Sequence, residues 1–168
     1  AHLILYVMNS INPIKESHKD DLNWLFRTLN LLPRTVFILS KFDEVADIEE
    51  ESDYKDNLQI KKDNVIKRLK DLININDNEI ANLNIVGVSA NPFDMGIEHW
   101  LSNINEFKKL SHIETLQNAT LNKVDKNGGL LVIANETNKT IIRDIFEKQV
   151  PISRQLNEKI SEELQKLS

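Results

Sequence analysis

The chain has 168 residues, a net charge of −5, 40% hydrophobic and 28% charged residues, and no cysteine. That length suits one domain or one and a half. The absence of cysteine removes disulfides, thiolate metal sites and cysteine nucleophiles, the negative balance argues against nucleic acid as a partner, and no apolar run approaches the roughly 20 residues of a membrane span.

The chain opens on Leu3-Ile4-Leu5-Tyr6-Val7-Met8. A short continuous apolar run of this kind reads as a strand buried on both faces, as in parallel sheets. Without an initiator Met or a basic leader, a chain that opens inside a strand is expected to be part of a longer one. Asn9 to Pro13 break the strand. Ser17 is the expected cap of a helix whose first turn holds Asp20 and Asp21. Leu22, Leu25, Phe26 and Leu29 carry that helix to about Leu32, and Pro33 ends it. Val36-Phe37-Ile38-Leu39 is the second buried strand.

The acidic stretch Asp43 to Asp56 is expected to be a loop or a fraying helix start. Val65, Ile66, Leu69, Leu72 and Ile73 then recur at helical spacing, followed by a polar segment over 74–78 and a third strand, Asn84 to Val88. Strands of buried type alternating with helices predict a parallel sheet with right-handed crossovers. After Ala90 the pattern turns helical, with a short helix at 97–101 and a stripe from Ile113 to Val124 that stops at Asn127-Gly128-Gly129. Little but helix pattern follows from Leu130, with Pro151 expected to kink or split it. The fold class expected is α/β, with residues 1–127 as one unit and 128–168 as a helical segment.

The residues that point to chemistry sit at the ends of the strands. Ser40-Lys41-Phe42-Asp43 follows the second strand. Ligands of open α/β sheets bind outside the carboxyl ends of the strands. A carboxylate there can accept from both N1–H and the exocyclic amine of guanine, a donor pair that adenine does not offer. A site built for such a pattern can reject an analogue by roughly 10⁴-fold or more. The Lys41 stem would lie along the base with its ammonium near water. Taken alone, four residues of this kind match often by chance. About forty-five residues on, the third strand ends in Ser89-Ala90, whose backbone N–H would face the guanine O6.

These motifs, with the opening strand and its Asn9-to-Ser17 continuation, resemble bacterial dynamin-like GTPases, and among them the group linked to enterotoxin secretion. The acidic insert after Asp43, the Pro92-Phe93-Asp94-Met95-Gly96 loop and the helical tail beginning Leu130-Leu131-Val132-Ile133-Ala134-Asn135-Glu136 fit that group. The resemblance implies the later part of a P-loop GTPase fold and the start of a helical neck. It implies guanine binding by Ser40, Lys41, Asp43, Ser89 and Ala90. In the longer protein it implies GTP or GDP with Mg²⁺, hydrolysis of GTP, a cytoplasmic location with peripheral membrane contact, and a role in membrane remodelling or secretion. Ser40 departs from the commoner Asn or Thr. The sequence contains no G-x-x-x-x-G-K-[ST] loop, so the chain alone is expected to be inactive. No catalytic or metal residue is assigned within it.

Two other readings stand beside this one. A ribosome-assembly GTPase would carry a basic module after residue 110, where the chain is mixed in charge. A non-enzymatic interaction module would account for the missing phosphate loop, leaving Lys41, Asp43 and Ser89-Ala90 in register by accident. The four histidines lack metal-ligand spacing, and the acidic run at 44–51 lacks the alternation of a calcium loop. Trp24 and Trp100 are expected in the core margin. The helical tail has more apolar residues than one exposed helix can hide, so self-association is expected.

Overall fold

A computed structural model describes residues 3–128, 135, 138–139, 141–143 and 145–167. The chain divides into two compact units, residues 1–126 and 127–168.

The first unit is built on a three-stranded parallel sheet in the order β1 (Ile4–Asn9), β2 (Thr35–Ser40), β3 (Asn84–Val88). Tyr6 pairs with Phe37, and Phe37 with Ile85, which sets the register of the whole sheet. The side-chain period of two then sorts β2 to two faces. Phe37 and Leu39 point into a core with Leu22, Phe26, Val65 and Leu69. Val36 and Ile38 join Val86 and Val88 on the other face, against Leu116 and Ala119. Strand β2 is buried from Thr35 to Leu39 because it is covered on both sides.

The helices follow from these faces. Helix α1 (Lys19–Asn23) and helix α2 (Glu51–Ile73) are the crossovers between successive strands and pack on one another. Helix α6 (Ile113–Lys126) packs on β2 and β3. Tyr6, Phe26 and Phe37 form a three-ring cluster with centroids 5.5–5.9 Å apart.

Several local expectations need correction. Ser17 is not a helix cap: it lies inside a 3₁₀ turn, Glu16–His18, and α1 begins at Lys19 with no side-chain cap bond. The helix then widens into a π turn, Trp24–Thr28, where Leu29 N–H reaches back five residues to Trp24 O at 2.9 Å. Trp24, at the start of this turn, is 57% exposed rather than part of the core. Trp100 is buried.

The acidic stretch is part loop and part helix. Helix α2 starts at Glu51, because Glu51 and Asp53 suit a first turn and Tyr54 is a buried anchor. The preceding loop is held by its own carboxylates: Asp47 N–H donates to Asp53 and Glu49 N–H to Asp47. The polar segment after α2 is a capped helix start. Asn74 takes a left-handed conformation that ends α2, and Asn76 and Glu79 form a reciprocal capping box on α3 (Asp77–Ala81). Arg27 ties these pieces together, donating Nε to Ile73 O at 2.8 Å and its terminal nitrogens to Glu79.

Beyond β3 come α4 (Ile97–Ser102) and α5 (Ile104–Ser111), the second of which the periodicity did not separate. In the second unit a π-helical turn, Ile145–Gln149, leads into the C-terminal helix Val150–Leu167. Pro151 is the second residue of that helix, directly after the π turn, so the helical ladder changes geometry where proline lacks its N–H. Gly129, Leu130 to Ala134 and Glu136 lie outside the described residues. None of the described helices is long and apolar enough to cross a membrane.

Candidate functional site

All three strands run parallel, so their carboxyl ends converge on one edge of the sheet. Ser10, Ser40-Lys41 and Ser89-Ala90 follow β1, β2 and β3 there. The loops are sewn together by serines. Ser10 Oγ donates to Ser40 O at 2.6 Å, and Ser40 Oγ donates to Met8 O at 2.9 Å. Ser40 thus binds β1 to β2, a linking job that a hydroxyl can do in place of an amide.

Lys41 adopts φ 54°, ψ 49°, a left-handed conformation that costs a non-glycine residue on the order of 1 kcal/mol or more. The kink turns the chain sharply at the strand end and starts a 3₁₀ turn, Phe42–Glu44. Phe42 is fully buried beneath it. The Phe42 ring fills the space over Gly87, where an added Cβ would come within 2.7 Å of it. A glycine inside a strand marks such a close approach. Lys41 and Asp43 are left on the outside, with Lys41 Nζ 3.1 Å from Glu44 Oε1. The hydrogen bond to Glu44 raises the lysine's pKa above its ordinary value, so Lys41 stays charged.

Asp43 and Ser89, forty-six positions apart in sequence, are directly bonded. The Asp43 backbone N–H donates to Ser89 Oγ at 3.0 Å. Ser89 is itself buried, and its N–H donates to Ser111 O at 3.0 Å. Ala90 is exposed beside it. The side chain of Asp43 accepts the Phe93 N–H on Oδ2 at 2.9 Å. The structure therefore brings Ser40, Lys41, Asp43, Ser89 and Ala90 to one strand-end cluster. Among the described residues no group of His, Cys, Asp and Glu is arranged to hold a metal ion.

Three supports were not legible in the motifs. Tyr54 Oη donates to Gly87 O at 2.9 Å from within the core, and burial pushes its pKa up to about 12. Tyr54 stacks on His112 with ring centroids 3.7 Å apart, and meets Phe42 edge-on. His112 sits at φ 53° between α5 and α6, and burial lowers its pKa. Phe93 is the third. The only advance signals were a glycine within β3 and an aromatic residue in the acidic stretch.

The chain matches the family model of the dynamin-like helical domain over residues 75–168. Its structure is similar to that of the bacterial dynamin GTPase LeoA from ETEC, with 33% sequence identity and a TM-score of 0.75. That likeness covers 96% of this chain and 28% of the LeoA chain. A comparison with curated proteins found no match. The family model takes in more than half of the residues, and the structural likeness extends over the α/β part as well: the chain belongs to the bacterial dynamin-like GTPase family.

Proposed function

We propose that this chain reads the guanine base for a dynamin-like protein that binds and hydrolyses GTP. The observation that carries the reading is the pairing of the two motifs: Asp43 N–H to Ser89 Oγ at 3.0 Å sets a carboxylate beside the exposed Ala90 backbone. The donor set fits a guanine. Asp43 has acceptor capacity beyond the Phe93 N–H, since an ionised carboxylate offers about four lone pairs. The Lys41 stem would lie along the base, and the Ala90 N–H would donate to O6. Ser40 and Ser89 hold the two loops in place rather than touching the base.

GTP or GDP would bring its Mg²⁺ with the phosphates, and this sequence carries no phosphate-holding loop. Phosphoryl transfer rests on positioning the phosphates and the metal. The chain alone is therefore expected to bind the base weakly and to hydrolyse nothing. In the longer protein we assign it to guanine selection, with membrane remodelling or secretion as the process served and peripheral membrane contact as the location. Co-sedimentation of the longer protein with anionic vesicles tests that last assignment.

The test of base reading uses the chain itself. Guanosine titrated into the ¹⁵N-labelled protein should shift the amides of Asp43, Ser89 and Ala90, and adenosine should not. Asp43→Asn should turn the preference towards xanthosine, whose C2 carbonyl matches an amide donor. Unchanged guanosine preference in that variant would remove Asp43 from the role. A chain blind to all purines would favour the non-enzymatic interaction module.

A further inference from the structure

Asp43 is held from two sides, and the second side belongs to no known motif of the sequence. The turn after Ser89-Ala90 folds back so that the Phe93 N–H meets Asp43 Oδ2 at 2.9 Å. This turn is strained. Phe93 and Asp94 both have positive φ, at 56° and 53°, which side chains larger than glycine rarely adopt. Two such residues in a row cost on the order of 1–3 kcal/mol each and persist only where the surroundings over-determine them.

The surroundings do so here. Trp100, buried in the core, donates its indole N–H to Pro92 O at 3.2 Å. Asn91 Oδ1 accepts the Gly96 N–H at 2.9 Å, and Asn91 Nδ2 reaches Asp94 Oδ1 at 3.3 Å. The Phe93 side chain contributes little to the core, being 46% exposed. What the strained conformation delivers is the aim of one backbone N–H at one carboxylate oxygen.

Resting on the reading of Asp43 as the guanine acceptor, we propose that Phe93 is a positioning residue: its backbone N–H locks the Asp43 carboxylate in the orientation that receives the base. Oδ2 accepts this bond and keeps a second lone pair, while Oδ1 stays open. The base then meets a carboxylate already fixed in its rotamer, and the ordering cost has been met during folding. With the Asp43 N–H on Ser89 Oγ, the bond also makes the two base-reading loops move as one body.

The experiment combines amide exchange with guanosine titration. Without nucleotide, the Phe93 amide should be protected from hydrogen exchange in the wild-type chain and lose that protection in Asp43→Ala. Phe93→Ala keeps the N–H and should bind guanosine as the wild type does. Phe93→Pro removes the donor and, because proline cannot take φ 56°, undoes the turn as well, and Asn91→Ala with Trp100→Phe loosens the turn while leaving residues 40–43 and Ser89-Ala90 themselves unchanged. Each should weaken guanosine about three- to tenfold, the factor expected when one side chain must be ordered on binding. Equal or tighter binding in either, with the sheet amides unshifted, overturns the positioning role; tighter binding would make the turn a cap on the site. Should Phe93→Pro fail to fold, the Asn91/Trp100 variant decides. Loss of the purine response in every form, with the Phe93 amide still protected, overturns the guanine reading itself and the positioning role with it.

Discussion

Gly87 shows how tightly the strand ends are built. The Phe42 ring lies where a Cβ would stand, and Tyr54 Oη donates to the Gly87 carbonyl. Overpacking of this kind typically costs about 1–3 kcal/mol. Gly87→Ala is therefore expected to lower stability by that amount, read as a lower urea midpoint at unchanged slope, and to push Phe42 and with it Lys41 and Asp43 out of place. Guanosine shifts at Ser89 and Ala90 should shrink in the same variant. Normal stability would mean that the ring has room to move. A glycine amid β-branched residues could be read in the sequence as a close approach; that Phe42 is what approaches could not, because the two are forty-five positions apart.

At the scale of elements, the junctions matter more than the helices they join. Helix α2 ends at Asn74 and α3 is capped by Asn76 and Glu79, with the Arg27 hydrogen bond holding the Glu79 carboxyl below its usual range. The α5–α6 junction turns on His112, stacked on Tyr54 of α2. Burial lowers the pKa of His112, with Glu51 pulling weakly the other way. The folded state then binds fewer protons than the unfolded one, for which the ordinary value is about 6.5. Its contribution is complete above that value and is lost as pH falls through it, levelling below the folded pKa. Stability should fall as pH drops through about 6.5, and His112→Asn, which tolerates the left-handed backbone, should flatten that dependence. Parallel curves for the two proteins would show that the imidazole stays neutral in both states or is equally charged in both. The strands and α2 were legible from apolar runs and stripes, because a buried element must show its burial in its residues. The π turn at Trp24–Thr28 and the start of α2 at Glu51 were not, since each depends on which face the core demands.

Across the whole chain, each unit leaves apolar surface bare. In the first, β1 pairs on one side only among the described residues, and Leu5 and Val7, on the same face as Val36 and Ile38 but at the sheet edge, are 48% and 63% exposed. In the second, Ile145, Phe146, Ile152, Leu156 and Ile160 are all exposed. Exposed large apolar residues gathered along one element favour contact with another surface. We expect the chain to self-associate, with a sedimentation mass that rises with concentration. Phe146→Glu with Leu156→Glu should return it to monomer; continued association would move the contact to the β1 face.

The sequence by itself determined the class of fold, the three parallel strands and the family that they resemble, and it named the candidate residues that gather at the strand ends. Each rests on local information: hydrophobic period, turn residues, and a motif at a strand end. The tertiary structure decided what those residues touch. Only the register of β1, β2 and β3 sets Asp43 against Ser89, and only a turn strained at Phe93 and anchored by Trp100 turns a backbone N–H onto the carboxylate. A backbone donor has no residue type, so no pattern in the sequence announces it, and contacts across some fifty positions depend on packing that local propensity does not encode.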